Sequence, residues 1–246
     1  MSQIAIVTGA SRGIGRATAI SLANSGWTVI AAGRDKTAIE GVAKEAGNGA
    51  MAIVCDVSDP ASVKELFKEV EDKFNRLDLL FNNAGISSRE VPIEELSVEE
   101  WRKVVDTNIC GVFYCTQQAF RIMKSQNPQG GRIINNGSIS AHVPRPNSGP
   151  YTATKHAVTG LTRSASLDGR EFNIACGQID VGNADTDMAS SQRRGAMQSN
   201  GTRMVEPTIN PQVVADAVIY MSGLSLDANV QFMTVLATKM PYIGRG

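Results

Sequence analysis

Apolar residues along this chain fall into short, nearly unbroken runs. Longer segments separate them, in which apolar positions recur every three or four residues. The runs are Ile4-Ala-Ile-Val-Thr8, Trp27-Thr-Val-Ile-Ala-Ala32, Ala50-Met-Ala-Ile-Val-Cys55, Leu77-Asp-Leu-Leu-Phe81, Arg132-Ile-Ile-Asn-Asn136, residues 173–179 and residues 229–237. Runs of this length predict strands buried on both faces, because a half-exposed strand would alternate polar and apolar residues. The segments between them predict helices at 16–25, stopped by Gly26, and at 35–46, ended by Gly47. Asp59 with Pro60 is a start signal for an amphipathic helix carrying Val63, Leu66, Phe67 and Val70 on one face. Ser97 and Glu100 have the spacing of a capping box. They open a helix expected to run to about residue 124, with a break near Asn108. Another helix carries Tyr151 and Lys155 to about residue 170. Strand and helix alternate with short connections, which predicts one α/β unit over residues 1–246: a doubly wound parallel sheet with helices on both faces.

The stretch 184–211 breaks the pattern. It is polar, rich in Ser, Arg and Gln, contains Gly195 and Gly201, and has weak periodicity. It is expected to form a substrate lid over the site. Lys plus Arg and Asp plus Glu are 24 each. The zero net charge gives no support for a nucleic-acid or anionic-membrane partner. No apolar run approaches a bilayer span, and the first residues enter a strand at once. Cys55, Cys110, Cys115 and Cys176 have no metal or redox spacing and fall in apolar segments. They read as free core thiols, which suits a reducing cytoplasmic setting. No His, Cys and carboxylate cluster has metal-ligand spacing.

Two constellations carry chemistry. Gly9, Gly13 and Gly15 lie between the first strand and the first helix. In that context glycines let the backbone approach a pyrophosphate, which the helix N-terminus then receives. Tyr151 and Lys155, four apart, share one helix face. An ammonium beside a phenol makes the phenol a more ready acid. Ser138 follows the fifth strand, at the end of the sheet where ligands bind in open α/β folds. A hydroxyl to hold a carbonyl oxygen, a phenol to protonate it and a lysine to tune the phenol make a carbonyl-reducing site.

Thr8-Gly-Ala-Ser-Arg-Gly-Ile-Gly15, Asn82-Asn-Ala-Gly85, Ser138 and Tyr151-x-x-x-Lys155 are similar, in order and spacing, to the motifs of the short-chain dehydrogenase/reductase family, in its compact single-domain branch. The resemblance implies a Rossmann-like sheet of about seven parallel strands and a homo-tetramer or homo-dimer. It implies Asn108 as a fourth catalytic residue with Ser138, Tyr151 and Lys155. Asn108 would hold a water that links the lysine to solvent. It also implies a dinucleotide held by Gly9, Ser11, Arg12, Gly13, Ile14 and Gly15, by Asp56 and Val57 on the adenine side, and by Asn83, Ala84 and Gly85 near a ribose. Tyr151, Lys155, Gly182 and Thr186 complete the set, and Asn82 is expected to brace the sheet.

The second strand ends Ala32-Gly33-Arg34, with no acid where NAD enzymes of the family tend to carry one. Arg12 and Arg34 suit a 2′-phosphate, so NADP(H) is favoured over NAD(H), unless Asp35 turns inward to take the acid's place. The chain departs from the family after the sixth strand, where Val181 replaces proline and Ala184 a β-branched residue. Asp180 puts a carboxylate near the site, either to recognise a polar substrate or to bond loop backbone. His142 lies in the loop after Ser138, and His156 is expected to point away.

The expected activity is reduction of a ketone or aldehyde to an alcohol, or the reverse, with Tyr151 as acid/base. The alternative within the enzyme class is a 3-oxoacyl-thioester reductase, weakly favoured by Arg193, Arg194 and Arg203 in the lid. Outside it stands a nucleotide-binding regulator without turnover, which the retained Asn108, Ser138, Tyr151 and Lys155 disfavour.

Overall fold

The computed structural model describes residues 2–189 and 194–243. Seven strands form one parallel sheet: β1 (Ile4–Thr8), β2 (Thr28–Gly33), β3 (Met51–Val54), β4 (Leu79–Asn82), β5 (Gly131–Asn136), β6 (Ile174–Val181) and, further along the chain, β9 (Phe232–Val235). Their order is β3-β2-β1-β4-β5-β6-β9, and every pairing is parallel. The chain moves outward from β1 to β3, then crosses back to β4. This leaves a topological switch between β1 and β4, where such sheets open a crevice at their carboxyl ends.

Residues alternate between two cores, as strand geometry requires. Ile4 and Ile6 face one side, and Ala5 and Val7 the other. The first side is covered by α3 (Pro60–Phe74) through Val63, Leu66, Phe67 and Val70. Beside it lie α5 (Gly111–Ser125), through Cys115, Ala119, Ile122 and Met123, and α6 (Gly149–Asp168), through Ala165. The second is covered by α1 (Gly13–Asn24), α2 (Lys36–Ala46) and α7 (Pro211–Ser222), which contribute Leu22, Ile39, Val42, Val214, Val218 and Met221. β7 (Ala196–Met197) and β8 (Arg203–Met204) form a small antiparallel hairpin outside the sheet. Among the described residues no helix is long and apolar enough to cross a membrane.

Several local expectations are refined. α1 starts at Gly13 rather than Arg16, so the end of the glycine loop is already the first helical turn. Ser97 caps α4 (Val98–Val105) by accepting the Glu100 N–H, but the Glu100 carboxylate turns to the Arg89 N–H and guanidinium. Only half of the capping box forms. The break near Asn108 is a π turn, Asp106–Cys110, between α4 and α5. Cys55, Cys115 and Cys176 are buried, whereas Cys110 in this turn is partly exposed. Burial pushes the Cys55 thiol up to about 11 and that of Cys176 to about 12, which makes them inert core groups.

The outer end of the sheet depends on one buried cation. Arg132 on β5 donates to the carbonyls of Leu224, Ser225 and Ala228 and to the Asn229 side chain, so it folds the turn before β9 onto the sheet. Arg132→Met would leave these acceptors without a donor. It should cost about 3 kcal/mol, read as a melting temperature lowered by roughly 6–12 °C.

Candidate active site

The crevice is built from the carboxyl ends of β1, β4, β5 and β6. Thr8 closes β1 onto β4: its hydroxyl accepts the Asn83 and Ala84 N–H groups at 3.0 and 3.1 Å. The Asn83 amide donates to the carbonyls of Thr8 and Gly9, and its oxygen accepts from the Asn136 side chain at 2.9 Å. Lys155, reaching from α6, donates to the Asn136 carbonyl at 2.6 Å. One hydrogen-bonded line therefore runs from the glycine loop, across β4 and β5, to the lysine of the Tyr-Lys pair. Asn82 braces the sheet as expected, donating to Thr116 and Asn135.

The glycine loop is shaped for close approach. A Cβ on Gly15 would collide with the Gly9 carbonyl and come within 2.5 Å of the Asn83 amide nitrogen. Arg12 stands at the N-cap of α1 with extended backbone and makes no side-chain capping bond, and no acid occupies the first turn. The free N–H groups and positive dipole end thus face outward beside backbone that only glycine permits. Ser11 and Ile14 lie in the same loop and turn. This cradle fits a dinucleotide pyrophosphate.

At the carboxyl end of β2, Gly33 ends the strand and Arg34 follows it, exposed. Asp35 does not turn inward: its carboxylate caps α2 by accepting the Ala38 N–H at 3.0 Å. Asp56 accepts from the Ser58 N–H and hydroxyl and lies 3.9 Å from Arg34. Burial alone would raise its carboxyl, but the Ser58 bonds and the Arg34 charge outweigh that and hold it below its ordinary value. Val57 is buried against Gly111. Arg12 pairs with Asp187 at 3.2 Å, across to the segment after β6.

Tyr151 and Lys155 share a face of α6, with the ammonium 5.5 Å from the phenol ring centroid. Lys155 is buried. Ser138, also buried, caps the short turn Ile139–Ala141, and its hydroxyl oxygen accepts the Ser140 N–H at 3.1 Å. That bond fills an acceptor site on the oxygen and leaves the hydroxyl proton to be donated elsewhere. Asn108 sits in the π turn and clamps Ile86, accepting its N–H at 2.8 Å and donating to its carbonyl at 2.9 Å. It also donates to Thr154, one turn of α6 from Tyr151. Ala84 and Gly85 occupy the backbone between Asn83 and Ile86, and Gly85 lies beside the Asn108 side chain. Gly182 packs on Leu236 and Met240, while Thr186 covers Gly13.

Sequence reasoning left the role of Asp180 open and expected His156 to point away. Asp180 is buried at the end of β6, where it accepts the Ser138 N–H and the Gln178 amide and contacts the His142 ring. His156 bonds the Thr152 carbonyl on the exposed side, away from the crevice.

The stretch 184–211 is partly ordered by a cluster that carried no sequence signal; its residues 190–193 lie outside the described residues. Glu206, buried in the stretch, accepts from Asn183 at 2.8 Å, from Gln198 at 3.0 Å and from the Arg145 guanidinium. Arg145 belongs to the loop after Ser138, so the cluster ties that loop to 184–211. Ala184 bridges to Ile209 at the base.

Fold and site together define a dinucleotide-dependent oxidoreductase of the Rossmann-like class. A family model described as short chain dehydrogenase matches residues 3–196, and the chain belongs to that family. It is 38% identical over 187 residues to a 3beta-hydroxysteroid dehydrogenase of Mediterraneibacter gnavus, covering 75% of this chain and 67% of that one. Two solved structures superpose closely. One is a 3-ketoacyl-(acyl-carrier-protein) reductase of Brucella melitensis complexed with NADH: TM-score 0.84, 26% identity, 96% and 98% of the two chains. The other is the closed form of a serine dehydrogenase complexed with NADP+: TM-score 0.87, 26% identity, 99% and 98%. The protein is an NAD(P)-dependent oxidoreductase acting on CH–OH and carbonyl groups.

The Glu206 cluster generates a pH prediction. Burial alone would push the Glu206 carboxyl up. The bonds from Gln198 and Asn183 and the Arg145 charge outweigh it and hold the carboxyl below its ordinary value. A depressed folded value stabilises the cluster above the unfolded carboxylate range, and that contribution disappears as pH falls through the folded value. Amides of residues 196–206 should therefore exchange slowly at neutral pH and lose protection in acid. In Glu206→Gln they should exchange faster at neutral pH and lose most of this pH dependence.

Proposed function

We propose that the protein is an NADP(H)-preferring reductase of a ketone or aldehyde, reversible as an alcohol dehydrogenase, with Tyr151 as its acid/base. The observation that carries this reading is the line of hydrogen bonds joining the glycine cradle to Lys155 beside Tyr151, with Ser138 emerging two residues beyond Asn136.

When bound, the nicotinamide supplies the hydride. Ser138 holds the carbonyl oxygen through the hydroxyl proton that its bond from Ser140 leaves available. Tyr151 gives its phenolic proton to the oxygen as negative charge develops there. Lys155, held through Asn136, favours the ionised phenol that remains. Asn108, fixed by its clamp on Ile86, keeps the π turn open beside α6, where a water can return the proton. Preorganised donors of this kind stabilise charge without reorganising during the reaction.

Three features support NADP(H). β2 ends in Gly33, with no inward-facing acid. Asp35 is committed to capping α2. Arg34 follows β2 and Arg12 lies in the glycine loop, and among the described residues each makes an ion pair at the exposed surface. The stretch 184–211 serves as the lid, fastened at Glu206. Exposed Trp101, Phe113 and Leu167 on α4, α5 and α6 support assembly as a homo-dimer or homo-tetramer.

A 3-oxoacyl-thioester reductase is the second reading, favoured by the likeness to the Brucella enzyme and by Arg194 in the lid. Arg203 is partly engaged, donating to the Gly195 carbonyl, and Arg193 lies outside the described residues. Turnover of ketones, aldehydes, quinones and 3-oxoacyl thioesters with NADPH and NADH separates the two readings. Ketone or aldehyde reduction at least roughly tenfold better with NADPH is expected. Tyr151→Phe should lose about 100- to 10,000-fold in kcat and Ser138→Ala about 100-fold or more. Preference for the thioesters would establish the second reading. No turnover with tight NADPH binding would favour the non-catalytic regulator.

A further inference from the structure

Asp180 places a carboxylate against the backbone of Ser138. One oxygen accepts the Ser138 N–H at 3.0 Å and the Gln178 amide at 2.7 Å; the other meets His142 Nε2 at 2.9 Å. The group is 1% exposed. Two of its partners, the Ser138 N–H and the Gln178 amide, donate to it, and the His142 ring nitrogen lies within hydrogen-bond distance of its other oxygen. Gly137 makes room for it: a Cβ there would collide with Asp180 and lie 2.6 Å from the Gln178 amide nitrogen.

A buried negative charge at this position opposes the reaction proposed above. Reduction builds negative charge on the substrate oxygen, and Ser138 is the group meant to stabilise it. Like charges brought close together in a low-dielectric site repel strongly unless a cation lies between or beside them. Neither of the other nearby cations pairs with Asp180. Lys155 donates to the Asn136 carbonyl, and Arg145 to Asn183 and Glu206. Among the described residues, His142 is the one charge-bearing partner of Asp180. It lies in the loop that Ser138 begins, with its side chain 40% exposed.

We propose that His142 is a positioning residue that supplies the counter-charge to Asp180, so that the carboxylate can fix the Ser138 backbone without opposing charge development on the substrate oxygen. This rests on the carbonyl-reductase reading. The pair works as a unit: Asp180 holds the serine in place, and His142, as imidazolium, neutralises Asp180 from the solvent side.

The test is a double-substitution cycle on the full chain. His142→Gln keeps an N–H that can reach Asp180 but removes the charge, and Asp180→Asn removes the charge that needs compensation. His142→Gln is expected to lower kcat roughly 10- to 100-fold with KM nearly unchanged, and to lower the melting temperature. Adding Asp180→Asn to it should recover most of both losses. A residue that merely fills space would show no such recovery. Equal kcat in His142→Gln and the unsubstituted enzyme, or a loss that Asp180→Asn does not relieve, overturns the proposal. The melting temperatures keep the two readings apart. If no carbonyl is turned over but the cycle still shows coupling in stability, the reductase reading fails and the charge pair stands. If turnover is normal and no coupling appears in stability or rate, the charge pair fails and the reductase reading stands.

Discussion

A parallel sheet covered on both faces can expose chemistry only at its strand ends, so the polar groups it buries must be bonded internally. Here that constraint takes the form of a seam through β4, β5 and β6. Asn82 donates to Thr116 and Asn135, Asn135 to Thr162, Thr162 to Gln178, and Gln178 to Thr159 and Asp180. Buried amides and hydroxyls are costly when unpaired and mutually strengthening when chained. A one-residue slip of β5 would turn Asn135 to the opposite face and break its bonds to Asn82 and Thr162. The seam therefore fixes the height at which β5 ends and Ser138 emerges. It also orders the register of the strands that flank it.

Much of this was legible in the sequence because the residues that make the sheet are apolar in unbroken runs. The cradle was legible because Gly9, Gly13 and Gly15 sit where backbone must turn and approach, and Tyr151 and Lys155 because a helix puts positions four apart on one face. The less legible parts depend on contacts between distant segments. His142 and Asp180 are 38 residues apart, and nothing local marks either as a partner. The fate of Asp35 was a choice between two local bonds, and the N-cap won because α2 begins at the next residue. The Glu206 cluster joins three loops with no shared pattern. β7 and β8 have two residues each, too few for a period to register. α7 carries a readable start signal, Asn210 capping with Pro211 in the first turn. Its apolar, β-branched composition blurs the helical period, and the loop pattern before it extends to its first residue.

The same geometry divides the work of the sheet at the switch between β1 and β4. On one side, β1 and β2 present glycine backbone and a helix N-terminus, which suit a phosphate-bearing ligand and tolerate little else. On the other, β5 and β6 present hydroxyls, a carboxylate and, through α6, a phenol and an ammonium, which suit proton transfer. A hydride donor and an acceptor carbonyl must meet within a narrow range of distance and angle, so the two halves have to be rigid relative to each other. Asn83 and Asn136 supply that rigidity. The first is bonded to the Thr8 and Gly9 carbonyls, the second to Asn83 through its side chain and to Lys155 through its backbone. The stretch 184–211 is held differently. Arg12 and Asp187 pair at the surface, both largely exposed, an interaction worth at most about 1 kcal/mol. The Arg145–Glu206 pair is buried with two further donors. The stretch 184–211 is thus held firmly to the loop after Ser138 and only weakly to the glycine loop, so in the proposed lid role its end over the cradle would open first.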